Sequence, residues 1–114
     1  MQCANISFNG GHITNGTVCA ASQSGYIAVT VKNLVNAQSS QFPFMVYLDV
    51  WHTGSGWSGW SEIGSRSGTS KYNGTNVSFS PTYGATKTYR VRCKAHPDNS
   101  DNFEFTTANF SHNG

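Results

Sequence analysis

The stretch 88-TYRVRCKAH-96 decides the fold. Tyr89, Val91, Cys93 and Ala95 alternate with Arg90, Arg92, Lys94 and His96, so apolar and polar side chains take turns along the chain. Only an extended strand, whose successive side chains point to opposite faces, converts that pattern into one buried face and one wet face. On a helix the same residues would be mixed around the axis.

The segment 102-NFEFTTANF-110 carries the same alternation, and 97-PDNSD-101 between the two reads as a turn. Pairing across that turn sets Lys94 opposite Glu104, Cys93 opposite Phe105 and Ala95 opposite Phe103. Charges then meet outside and apolar groups inside, an arrangement that a slip of one residue would destroy.

Further strands read the same way. Ile27, Val29 and Val31 form the inner set of 26-YIAVTVKNL-34, and Phe44, Val46, Leu48 and Val50 that of 42-FPFMVYLDVWH-52, with Met45, Tyr47, Asp49 and Trp51 outward. Val77 and Phe79 face inward in 76-NVSFS-80. After a turn at 53-TGSG-56, the run Trp57–Ile63 makes another strand, in which Trp57 aligns with Gly59, Ser61 and Ile63 as the inner set. Trp60 aligns with Ser58 and Glu62 as the outer set. Trp57 is therefore expected to be a packing residue. Turns at 9-NGG-11, 15-NG-16 and 73-NG-74 punctuate the rest, and no segment has helical spacing. The expected architecture is all-β: one antiparallel sandwich domain of six or seven strands spanning residues 1–114.

Composition narrows the function classes. Only 11% of residues are charged while 13% are aromatic, the reverse of a disordered chain. A net charge of +2 is too small for nucleic-acid binding, which rests on many phosphate contacts. No apolar run reaches the eighteen or so residues of a membrane-spanning helix, so no membrane span is expected. Met1 directly before 2-QCANISF reads as a start codon added to a mature secreted chain. Five Asn-x-Ser/Thr sequons, at Asn5, Asn15, Asn73, Asn76 and Asn109, matter only in a glycosylating host.

The run 77-VSFSPTYGATKTYRVRCKAH-96 resembles the strand E to strand F region of fibronectin type III and related immunoglobulin-like sandwiches of the small secreted bacterial kind, where a short strand and turn precede Tyr-x-Val-x-hydrophobic-x-Ala. The resemblance implies that Tyr89 is a corner tyrosine whose hydroxyl bonds back to backbone. It also implies that the strand at 88–96 lies beside that at 42–52. Trp60 would then share an outer face with Trp51, Tyr47, Arg90 and Arg92, forming a ladder of indoles and guanidinium groups held by cation–π attraction. The letters 57-WSGWS-61 match the Trp-Ser-x-Trp-Ser motif of cytokine receptors, but there the motif precedes the last strand of its domain, whereas here Tyr89 still follows.

Three cysteines allow one bridge. Cys3–Cys19 would tie down the first strand across Gly- and Asn-rich turns, leaving Cys93 as a small buried hydrophobe. Cys19–Cys93 would instead imitate an inter-sheet bridge.

Chemistry leaves little trace. There is no Gly-x-Ser-x-Gly elbow and no short Cys-x-x-Cys zinc spacing. The acids available for a glycosidase pair are Asp49, Glu62, Asp98, Asp101 and Glu104, and three of them crowd one hairpin turn. That turn, 98-DNSDNFE-104, lacks the frame of a calcium loop, and His52 and His96 stand alone at strand ends. No catalytic residue, cofactor or metal is assigned. The expected function is a secreted, non-enzymatic binding module in which Trp51, Trp60, Tyr72, Tyr47, Arg90 and Arg92 engage carbohydrate or a cell-surface protein. The alternative is a secreted antimicrobial, toxin or inhibitor protein acting by contact.

Overall fold

A computed structural model describes residues 1–9, 13–54, 56–95 and 103–113. The turn at 97–101, His12, His96, Asp98 and Asp101 lie outside the described residues. Nine strands form among the rest: β1 (Gln2–Asn9), β2 (Ile13–Gln23), β3 (Tyr26–Asn33), β4 (Pro43–Gly54), β5 (Trp57–Thr69), β6 (Thr75–Phe79), β7 (Thr86–Ala95), β8 (Phe103–Thr106) and β9 (Phe110–Asn113). One four-stranded sheet has the order β1-β2-β3-β6; the other runs β5-β4-β7-β8, with β9 also on β7, and every ladder is antiparallel.

The core is the set that period two selects. Ile27, Val29 and Val31 of β3 meet Phe44, Val46, Leu48 and Val50 of β4 and Tyr89, Val91, Cys93 and Ala95 of β7, all buried. The register of β7 with β8 is Lys94 opposite Glu104, Cys93 opposite Phe105 and Ala95 opposite Phe103, as the sequence reading requires.

Two features exceed that reading. The long β1–β2 hairpin was not legible as strands, because its inner residues are Ala4, Ile6, Gly16, Val18 and Ala20, too small and mixed to stand out. Cys3 and Cys19 sit directly opposite each other in it, 4.0 Å apart at Cα, and form the disulfide. Cys93 is the buried free thiol. The segment 102–110 is also not one strand: the ladder on β7 passes from β8 to β9. Thr107 bridges the break, its hydroxyl accepting from the Val91 amide at 3.0 Å and its own amide donating to the Val91 carbonyl at 2.9 Å.

A bulge in β5 corrects the reading of Ile63. Leu48 pairs with Gly64 but Asp49 pairs with Glu62, so Ile63 is the extra residue without a partner. Gly64, not Ile63, takes the inner position, since the Phe79 ring occupies the space where a side chain would go: a Cβ there would lie 3.2 Å from it. Ile63 is turned out to solvent. Beyond the bulge Trp57 keeps the parity of the inner face, yet it is 58% exposed rather than packed. The reason is length. Phe79, against Gly64, ends β6, while β4 continues for six residues past Leu48 to Gly54, roughly 20 Å of strand. The β4–β5 hairpin therefore overhangs the opposing sheet, and an inward-facing residue near its end has little to pack on.

Candidate functional site

The outer face of the five-stranded sheet gathers the polar set of four strands. Trp51 stands opposite Trp60, Asp49 opposite both Glu62 and Arg90, Tyr47 opposite Arg92, and Met45 opposite Lys94. The adjacency of β4 and β7 is what brings the aromatic and basic residues together.

Asp49 organises this face. Its side chain is only 3% exposed and accepts three hydrogen bonds: from Arg90 Nε at 2.8 Å, Arg92 Nε at 2.7 Å and Arg92 Nη2 at 3.1 Å. Arg92 also donates to Glu62 at 2.7 Å and to Glu104 at 3.2 Å, and Lys94 lies 3.6 Å from Glu104. Its hydrogen bond to Asp49 is the largest cause raising the Arg92 pKa further above the ordinary guanidinium value. Three cations thus meet three carboxylates, so the face is nearly neutral despite its basic sequence.

The aromatic rings interleave with this network. The Arg90 guanidinium carbon lies 4.3 Å from the Trp60 ring centre, and that of Arg92 4.9 Å from the Tyr47 ring, with the Lys94 ammonium at 5.7 Å. Trp51 and Trp60 meet edge to face with centroids 5.2 Å apart. Arg90 and Arg92 are engaged with carboxylates, Arg90 also with the Trp60 ring and Arg92 with the Tyr47 ring, which assigns Arg90, Arg92 and Tyr47 first to the ladder itself. What remains open is the indole end: a depression of about 320 Å³ lined by Trp51, Trp60, Thr88 and Asn109, with Trp51 37% exposed.

Tyr72 is not part of this face. It follows the end of β5 where Thr69 pairs with Pro43, the far end of β4 from Trp51, and it lines a separate hollow with Asn33, Asn36 and Lys71. Tyr89 is buried as expected, stacked on Phe110 at 6.2 Å and edge-on to His112 at 5.9 Å. Among the described residues, however, its hydroxyl has no hydrogen-bond partner, so the back-bond of a corner tyrosine is not made there. Burial pushes its pKa up, with Tyr83 a lesser contributor.

Sequence reasoning missed Asp49 as the hub, because a carboxylate on an outward position looks solvent-facing until two arginines converge on it. Thr88 and Asn109 were missed because they join the indoles only through β7–β4 pairing and the break between β8 and β9. It also missed His112, buried in β9 with Nδ1 2.7 Å from the Ser22 hydroxyl of β2, a link between the two sheets. The reverse side of the overhanging hairpin was missed too: His52 lies 6.3 Å from Trp57 and 6.2 Å from Tyr83, and the Lys87 ammonium 5.0 Å from the Tyr83 ring.

Among the described residues no group of three or more His, Cys, Asp or Glu side chains could hold a metal ion, and no helix is long and apolar enough to cross a membrane. No protein family, curated protein or solved structure matches this chain. Its chemistry must be read from its own surface.

Proposed function

We propose that the protein is a secreted, non-enzymatic binding module that takes carbohydrate at the Trp51–Trp60 corner. The observation that carries this reading is the pair of indoles meeting edge to face beside a shallow depression with two polar groups, Thr88 and Asn109, on its rim. An exposed indole offers a flat apolar surface that suits the C–H face of a sugar ring, and a few placed hydroxyl and amide groups fix orientation. Rigidity supports the reading: Arg90 lies against the Trp60 ring and is itself held by Asp49, so little side-chain freedom is lost on binding. The Cys3–Cys19 disulfide supports an oxidising, extracellular setting. With β1 set aside, the strand order β2-β3-β6 facing β5-β4-β7-β8 supports an immunoglobulin-like, fibronectin III-like architecture.

A glycan array followed by titration with the best oligosaccharide tests the reading. Trp51→Ala and Trp60→Ala are expected to weaken binding about tenfold or more, and Asn109→Ala less. An array with no bound glycan, or binding indifferent to both substitutions, refutes it.

A further inference from the structure

All three tryptophans of the chain, Trp51, Trp57 and Trp60, belong to one hairpin end, and they do not share a face. Trp51 and Trp60 form a cross-strand pair on the outer side. Trp57 lies on the opposite side, where it tilts toward His52, which in turn contacts Tyr83. Gly54, across from Trp57, has room for no side chain, since a Cβ would lie 2.5 Å from the indole nitrogen: the ring folds over the bare backbone of its partner strand. Trp57 and Tyr83 are 58% and 41% exposed.

The charges are distributed to match. From Val50 to Ser61 the chain has no Asp, Glu, Lys or Arg. Behind that uncharged end stand Lys87, against Tyr83 on one side, and Arg90, against Trp60 on the other.

A sugar or a protein surface covers one face of a two-stranded ribbon and leaves the other wet. A medium that surrounds the ribbon covers indoles on both faces at once. We infer that the end of the β4–β5 hairpin, with Trp51, Trp57 and Trp60 on it and Tyr83 beside it, dips into the interface of a phospholipid bilayer. Trp and Tyr favour that zone because their rings are apolar while N–H and O–H still reach water or lipid carbonyls. The depth is suitable: from the Trp51–Trp60 pair to the Gly54–Trp57 pair is three residues, about 10 Å, close to the 5–10 Å that interfacial segments bury. Insertion stops there, since β5 is an edge strand whose outward backbone groups would have no partners in the hydrocarbon. Lys87 and Arg90 then sit at the level of the headgroup phosphates. This inference goes beyond the carbohydrate reading and is separable from it through Trp57, which does not line the Trp51–Trp60 depression.

The test uses vesicles of phosphatidylcholine, and of phosphatidylcholine with phosphatidylglycerol, read by co-sedimentation, by the tryptophan emission maximum and by quenching with lipids brominated on the acyl chain. The intact protein is expected to bind both, with a blue shift and with quenching strongest for shallow bromines. Trp57→Ser and Tyr83→Ser, each on an exposed position that leaves the core intact, are expected to weaken partitioning about fivefold, since binding scales with buried apolar area. Trp57→Ser should leave oligosaccharide binding unchanged. Leu34→Ser, on an exposed position at the opposite end of the sandwich, should have no effect on vesicle binding. The inference falls if the protein binds neither vesicle, if it binds only anionic vesicles without an emission shift, or if Leu34→Ser weakens binding as much as Trp57→Ser. Vesicle binding without any bound glycan would uphold it while refuting the sugar reading.

Discussion

Replacing Asp49 by Asn tests the claim that one buried carboxylate holds the outer face together. Asp49 accepts three charge-assisted hydrogen bonds from Arg90 and Arg92, each contributing net about 1.5–3 kcal/mol. Asn keeps one carbonyl oxygen, which in the place of Oδ2 can still accept from both Nε groups, but the bond made by Oδ1 and the compensating charge are lost to the arginines. Their side chains are 29% and 19% exposed and can turn partly to water, which lowers the cost below that of a fully buried broken pair. The expected loss is about 2–4 kcal/mol, read as a lower urea midpoint at unchanged slope. At about 4 °C per kcal/mol for a domain of this size, Tm falls by roughly 8–16 °C. Glu62→Gln removes a charge from the same Arg92, but Glu62 is half exposed, and its loss should cost under about 1 kcal/mol. Arg90 would also leave Trp60, so emission of the folded variant should shift. If Asp49→Asn costs no more than Glu62→Gln, the hub does not exist and the ladder is a surface ornament.

Three further outcomes are expected. Tyr89→Phe should be neutral or stabilising by up to about 1 kcal/mol in urea unfolding, because it removes a buried hydroxyl that has no partner among the described residues; a loss above about 1 kcal/mol would restore the corner-tyrosine bond. Burial pushes the Cys93 thiol up to about 12, against about 8.5 for an exposed thiol, so the unfolded chain loses this proton first. Its contribution is full below about pH 8.5 and is lost as pH rises toward about 12; the difference in urea midpoint between wild type and Cys93→Ala should shrink over that window, and iodoacetamide at pH 8.5 should label Cys93 only after unfolding. Thr107→Val should cost about 1–3 kcal/mol by leaving the Val91 amide unpaired, measured as a drop in Tm and as faster hydrogen exchange at Val91; unchanged exchange would refute the bridging role.

The strands at 26–34, 42–52 and 88–96 were legible because alternation is a local property that a buried face imposes on its own sequence. The β7–β8 register was legible for the same reason, since charge and apolar groups had to match at once. The β1–β2 hairpin was not, because small residues at inner positions leave a weak alternation. The parity of Trp57 was read correctly and its burial was not, because parity belongs to the strand while burial depends on where the other sheet ends. Ile63 failed differently: a bulge adds one residue and reverses the facing of everything beyond it, and only the fit of Phe79 against Gly64 decides where that residue goes.

By itself, then, the sequence determined an all-β chain, which residues the strands at 26–34, 42–52 and 88–96 turn inward, and the cross-strand pairing of its most charged hairpin. Only the tertiary structure decided which two cysteines form the bridge, that Asp49 joins two arginines, that Tyr72 stands apart, and that the hairpin end overhangs and leaves Trp57 exposed. The physical reason is that alternation is set by neighbours in the chain, whereas exposure and charge pairing are set by whatever distant strand arrives opposite.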